Sequence, residues 1–225
     1  MKFLYYFKYF YFIARNWNIK LAAFSVYHEI KGEKKYRIDT VRINNLQSEH
    51  IESENLSHAS IYQATNYFLM ERAFAYLKEE KVNAGLVDFG CGKGRVLAVA
   101  AYHGFKSITG IDFSRTLCIE AEENIQKVKS FFPDTEIKVI CDDATHYTIE
   151  KDKNCFFFFN PFDEIVMLKV VKKLLSFLKE SNKKIYIVYI NPLHKEIFLS
   201  AGFEEEYFFR KMEYLEFSIL TLGEV

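Results

Sequence analysis

Proline and glycine are scarce, at three and nine in 225 residues, so no long flexible linker divides the chain. A surplus of charge is missing too. Lys+Arg and Asp+Glu both number 30, and that balance gives no support to a scaffold that binds nucleic acid by neutralising phosphates. Cysteines stand only at 91, 118, 141 and 155, with no C-x-x-C pair and no His/Cys cluster at ligand spacing. Zinc is therefore not indicated, no metal is called, and reduced, mostly buried thiols in a cytoplasmic protein are the plain reading. No run reaches the roughly 20 apolar residues that a bilayer span needs.

What the chain has in plenty is apolar surface, 50% of residues, enough for one sizeable α/β domain and an appendage. Residues 1–13 are densely aromatic, interrupted by Lys8 and ended by Arg15 and Asn16. The lysine and the lack of a small-residue cleavage site argue against a signal peptide. Two readings stay open: a helix docked on the domain by its aromatic face, or an interfacial helix making peripheral membrane contact through residues 1–15. Leu21 to Ile30 is a mixed apolar stretch. Lys31 to Lys35 reads as a charged turn, and Tyr36 to Ile43 alternates as a half-buried strand. Gln47 to Ser57 is polar and patternless, a connection or lid. Residues 1–56 are thus expected to be an extension of helix plus short strand, and 57–225 the main domain. A helix follows Ser57, with Ser60 or Thr65 as its cap and Phe68, Leu69, Phe74 and Leu77 on its apolar side.

The most informative stretch runs from Gly85 to Ala100. Leu86, Val87 and Asp88 read as a buried strand, Gly90, Gly92 and Gly94 as a tight turn, and Val96 to Ala100 as a helix. Glycines let the backbone approach a ligand closely, and the first N–H groups of the helix face it. The spacing G-x-G-x-G is not the dinucleotide pattern G-x-G-x-x-G. Asp88 lies two positions before the first glycine and would repel a pyrophosphate, but it suits a ligand with positive charge or amino donors. A purely structural strand–helix turn is the competing reading.

The sequence Val-Asp-Phe-Gly-Cys-Gly-Lys-Gly-Arg, residues 87–95, resembles the first motif of class I S-adenosylmethionine-dependent methyltransferases. The resemblance extends over residues 57–222 and is strongest to uncharacterised bacterial methyltransferases with a G-C-G-K-G-R loop and an N-P-F motif. Lysine-methylating enzymes are their studied relatives by motif. It implies a Rossmann-like sheet of seven mostly parallel strands with helices on both faces. It also implies S-adenosylmethionine as cofactor and S-adenosylhomocysteine as product. Asp88, Phe89, Gly90, Cys91, Gly92 and Gly94 become cofactor-binding candidates. Tyr62 and Thr65, with Gln63 between them, fall where the family carries a covering helix near the methionine end.

Other positions follow along the chain. Ser107 to Asp112 reads as a second strand, and Asp112 lies 112 − 88 = 24 positions after Asp88, placed to accept both ribose hydroxyls. Phe113 beside it would lie against adenine. Glu136 to Cys141 reads as a third strand followed by Asp142 and Asp143. By resemblance one of these two binds the adenine amino group, and the choice between them is open. Cys155 to Phe159 is a continuous apolar strand fitting the centre of a parallel sheet, and it ends in Asn160-Pro161-Phe162. That tripeptide resembles the N-P-P-F/Y motif of amino-group methyltransferases without its second proline. By that resemblance Asn160 and the backbone at Pro161 hold a target amine, Phe162 walls its pocket, and Asn160 borders the cofactor. Asp163 to Lys179 reads as an amphipathic helix with Ile165, Leu168, Val171, Leu174, Leu175 and Leu178 on one side. Lys183 to Ile190 is a fifth strand, and 203–210 and 214–222 are a closing antiparallel pair. The expected acceptor is an amine of a protein side chain or small molecule. A nucleic-acid base and a non-catalytic cofactor-binding module are the alternatives.

Overall fold

In a computed structural model, residues 2–41, 63–82 and 85–223 are described. Tyr62, Ser60 and the polar stretch 47–57 lie outside them. Two helices open the chain, α1 (Lys2–Asn16) and α2 (Ile19–Tyr36), followed by α3 (Tyr67–Glu79). Then come β1 (Gly85–Phe89), α4 (Arg95–Tyr102), β2 (Ser107–Asp112), α5 (Arg115–Lys129), β3 (Glu136–Cys141) and β4 (Lys153–Phe158). The chain closes with α6 (Glu164–Ser181), β5 (Ile185–Ile190), α7 (Lys195–Ser200), β6 (Glu204–Lys211) and β7 (Leu215–Leu222).

One seven-stranded sheet carries the order β3-β2-β1-β4-β5-β7-β6. Pairs from β3 through β5 are parallel, and β7 lies antiparallel between β5 and β6. This is the Rossmann-like sheet that the family resemblance implies. The strand period of two splits the apolar side chains between its faces. Leu86, Cys155 and Phe157 join a core with α2, α3, α4 and part of α5, whereas Val87, Phe89, Phe156 and Phe158 join a core with α6 and α7. Phe156, Phe157 and Phe158 are completely buried, as a central strand covered on both faces requires.

Four expectations are corrected. The charged stretch Lys31 to Lys35 is not a turn but the last part of α2. Its Gly32 is there because Tyr67 packs on it: a Cβ at position 32 would lie 2.2 Å from the Tyr67 Cγ. Tyr36 to Val41 is not a strand either. Tyr36 ends α2, Arg37 turns the chain at φ 57°, and residues 38–41 run without a strand partner, so the described extension is two helices rather than helix plus strand. The alternation was produced by Tyr36, Ile38 and Val41 reaching into the core from a helix end and an extended segment. The cap of α3 is neither Ser60 nor Thr65 but Asn66, whose side chain accepts from the Phe68 N–H. Finally, the buried stripe of α6 is Val166, Met167, Val170, Val171, Leu174 and Phe177, so Ile165 and Leu168 sit exposed.

A buried ion pair ties the extension to the body. Arg95, the first residue of α4, donates through Nη1 to Glu29 Oε2 at 3.0 Å and to the Thr65 carbonyl at 2.8 Å. Its Nε donates to Thr40 Oγ1 at 2.7 Å, its Nη2 pairs with Glu29 Oε1, and the guanidinium stacks 4.2 Å from the Tyr67 ring centroid. Both Arg95 and Glu29 are nearly inaccessible. Removing one member of such a pair leaves the other charge buried, at a cost of about 3–5 kcal/mol. Arg95→Met is therefore expected to lower the melting temperature by about 10 °C in thermal unfolding, given about 2–4 °C per kcal/mol for a chain of this size. A loss under about 2 °C would show that the pair does not hold the extension.

Candidate active site

Parallel sheets bind ligands beyond the carboxyl ends of their strands where the strand order reverses. Here that point lies between β1 and β4. The loop after β1 has Gly90 at φ 80°, Gly92 at φ 52° and Gly94 at φ 76°, the left-handed region that side chains avoid. Space is as restrictive as dihedral at Gly90, where a Cβ would come within 2.5 Å of the Pro161 Cβ. The glycine loop and the Asn160-Pro161-Phe162 segment, 70 residues apart in sequence (160 − 90), therefore touch.

Asp112, at the end of β2, braces this loop. Its Oδ2 accepts from the Gly92 N–H at 2.8 Å and its Oδ1 from the Ser114 N–H at 3.0 Å. The Gly90 and Cys91 N–H groups both donate to the Ile111 carbonyl at 2.9 Å. Beside them lies Asp88, fully desolvated, with an Oδ2 that has no hydrogen-bond partner among the described residues. Burial, and then the negative charge of Asp112, push its carboxyl well above the usual range. A buried acid without a partner is costly.

The other candidates are distributed as follows. Asp142 follows β3, its N–H donating to the Asp112 carbonyl at 3.0 Å, and its side chain is exposed. Asp143 is turned inward on its own loop, Oδ1 accepting from the Thr145 N–H and Oγ1 at 2.8 and 2.7 Å. Phe113 is half-buried next to Asp112. Thr65 is buried, and its carbonyl is bound by Arg95. Cys91 lies buried at the loop, its thiol pushed up by burial and by Asp112 and Asp88. The side chains of Phe89 and Phe162 both lie in the core shared with α6, so neither lines an open surface; Phe89 stacks on Phe158 at 5.2 Å.

Asn160 adopts φ 44° and clamps two strand ends together. Its Nδ2 donates to the Asn191 carbonyl at 2.7 Å, and its Oδ1 accepts from Tyr189 Oη at 3.0 Å and the Leu193 N–H at 3.4 Å. Asn191, also before a proline, has φ 48°. Sequence reasoning gave no role to Tyr189, to Asn191 at the end of the fifth strand or to the loop's own cations. Lys93 is completely buried against Glu120 at 2.9 Å. The usable signal for Arg95 was a cation at a helix start, where the dipole disfavours it, inside an apolar run that required an anion nearby.

Residues 86–181 match a family model described as a methyltransferase domain. Together with the sheet order, this match supports a class I methyltransferase fold for the body of the chain. A curated relative, EEF1A lysine methyltransferase 2 of Danio rerio, is 36% identical over 81 residues, 31% of this chain and 35% of its own length. The chain thus spans about a third of the curated relative it matches. Among solved structures, magnesium protoporphyrin IX methyltransferase from Synechocystis is similar with a TM-score of 0.54 at 12% identity, covering 87% of this chain and 91% of that one. The tRNA (uracil-54, C5)-methyltransferase of Pyrococcus abyssi gives 0.52 at 14% identity, covering 72% of this chain and 40% of that one. At such identities these two share the fold alone.

The Asp88 environment in this domain makes a signed prediction. Because its folded pKa is raised above the unfolded value near ~4, stability present below that pH is lost as pH rises towards the folded pKa. Asp88→Asn removes the penalty. It is expected to raise the ligand-free melting temperature by about 3 °C at neutral pH, with the gain shrinking towards pH 4. A variant equally or less stable at pH 7.5 would contradict an unrelieved buried acid.

Proposed function

We propose that this protein transfers a methyl group from S-adenosylmethionine to an amine nitrogen of a protein side chain or small molecule. The observation that carries the reading is Asp88, a desolvated carboxyl with an unpartnered oxygen beside a glycine loop whose Gly90 leaves no room for a Cβ. That pocket suits a ligand bearing an α-amino group and a sulfonium and no phosphate. When bound, S-adenosylmethionine supplies a methyl carbon on positive sulfur, to which a nucleophile's lone pair bonds as the C–S pair returns to sulfur.

The chain's own residues then position. Asp88 would hold the amino group of the methionine end, Asp112 the ribose, and Asp142 or Asp143 with Phe113 the adenine. Thr65 supports the cover over this end through its link to Arg95. The Asn160 amide, committed to Tyr189, Leu193 and Asn191, fixes the direction of the backbone at Pro161, which accepts from the incoming amine. Displacement in line at a methyl needs alignment more than acid–base help, so much of the rate comes from this positioning. The amine must arrive neutral, and the proton it releases after transfer goes to solvent. The lysine methyltransferase named above, similar over a limited stretch, favours an amine on a protein, and the zero net charge weighs against a nucleic-acid acceptor.

Calorimetric titration with S-adenosylhomocysteine tests the cofactor. Micromolar binding is expected for the wild type, with a loss of at least tenfold in Asp112→Ala and in Asp88→Asn. No binding by folded wild type would sink the reading. Labelled methyl from S-adenosylmethionine, offered to protein and small-amine pools, is expected in acid-stable amine linkage and to increase with pH. Label found on nucleic acid instead would move the acceptor assignment.

A further inference from the structure

The first helix is apolar around most of its circumference, broken by Lys8 and Arg15, and a helix of that kind ordinarily has most of its surface covered. Only one side of α1 is covered. Ile13 is buried, and Tyr9, Phe10 and Ala14 pack against the core, but Phe3, Leu4, Phe7, Tyr11 and Phe12 face outward. Phe3 is 83% exposed and Phe7 61%. Trp17 prolongs this surface, in edge contact with the Phe12 ring at 5.9 Å and with Tyr214 of the β6–β7 turn at 6.3 Å, and Ile19 beyond it is 69% exposed.

Charge decides what fits there. Residues 2–28 contain Lys2, Lys8, Arg15 and Lys20 and not one acid, the first being Glu29, in a chain whose total is zero. Lys2 is committed to Glu33 and Asp39 at 3.5 and 3.3 Å, whereas Lys8, Arg15 and Lys20 have no ion pair among the described residues. At 100° per residue, Lys8 and Arg15 project from the same outward face as Phe7 and Tyr11. Rings that need cover, threaded with cations whose stems can lie along apolar surface, match an interface of acyl chains and anionic headgroups. An aqueous protein partner of ordinary composition would have to bring a dense acidic rim. No helix among the described residues is long and apolar enough to cross a membrane, so the contact is peripheral.

We infer that the outward face of α1, continued by Trp17 and Ile19, binds an anionic lipid surface. The helix lies in the plane of the headgroups with Phe3, Phe7 and Tyr11 inserted and Lys8 and Arg15 among the phosphates. The opposite side of the same helix stays docked on the body, so the enzyme as a whole is held at the membrane.

Sedimentation of the full chain with sucrose-loaded vesicles tests this, comparing pure phosphatidylcholine with vesicles holding roughly 30% phosphatidylglycerol. Partitioning is expected to be at least tenfold stronger on the anionic vesicles and to weaken as salt is raised. The double variant Phe3→Ser, Phe7→Ser and the double variant Lys8→Glu, Arg15→Glu should each lower it about tenfold, with melting temperature retained because all four side chains are outside the core. Equal partitioning on both vesicle types, or variants that bind like wild type, would overturn the inference. So would a wild-type dimer that fails to bind vesicles and becomes monomeric on Phe3→Ser, Phe7→Ser, since a second copy would then be the cover. None of these readouts involves methyl transfer, so the result stands apart from the assignment of the reaction.

Discussion

Arg95 is where the two parts of the molecule depend on each other. It is the last residue of the Gly-Cys-Gly-Lys-Gly-Arg run and the first of α4, yet its side chain points away from the loop into α2, Thr40 and Thr65. Burying a guanidinium is tolerable only with a full set of acceptors, and the chain provides them from three separate places. Glu33, one turn from Glu29, extends the same site by accepting from Thr40 and from Tyr67 Oη at 2.8 Å. The helices before the sheet are thereby fixed at the start of the loop helix, close to the carboxyl ends of the parallel strands.

A second constraint closes the site from the other side. Gly90 has room for Pro161 only because it has no Cβ, and Pro161 stays there because Asn160 ties the end of β4 to the end of β5. The strand order puts β1 beside β4, so loop and tripeptide meet at the reversal point without any long-range device beyond the sheet itself. What remains unsatisfied in this tight arrangement is the Asp88 carboxyl. A fold that elsewhere pairs Lys93 with Glu120 and Arg95 with Glu29 leaves this desolvated oxygen without a hydrogen-bond partner among the described residues.

The body of the fold was legible because its signals are local and mutually consistent. Three glycines after Leu86-Val87-Asp88, an acid 24 positions later and the phenylalanine run before Asn160 each follow from strand and turn chemistry, and together they define one sheet. The extension was less legible because tertiary contacts outweighed local ones. Gly32 reads as a turn residue until Tyr67 is seen lying on it, and Glu29 and Glu33 read as solvated charges until Arg95 is placed between them. Site side chains suffered in the same way. Phe89 and Phe162 have the right positions in sequence, but strand alternation sends Phe89 into the core with α6, and the helix start draws Phe162 after it.

The two Asn-Pro steps show why position in sequence and role in the site separate. A residue before proline is pushed towards extended backbone, yet Asn160 and Asn191 stand at φ 44° and 48° at the ends of adjacent parallel strands. Asparagine is among the residue types that tolerate this region best, and such outliers survive only where surrounding bonds over-determine them. Here they do: the Asn160 amide reaches the Asn191 carbonyl, Tyr189 and Leu193, while the Asn191 N–H donates to the Glu216 carbonyl at 3.0 Å. The strained pair thus turns both chains sharply at the carboxyl edge of the sheet and presents Pro161 to the glycine loop. On this geometry the amide's hydrogen bonds are made within the protein, and what it fixes is the course of the backbone at Pro161.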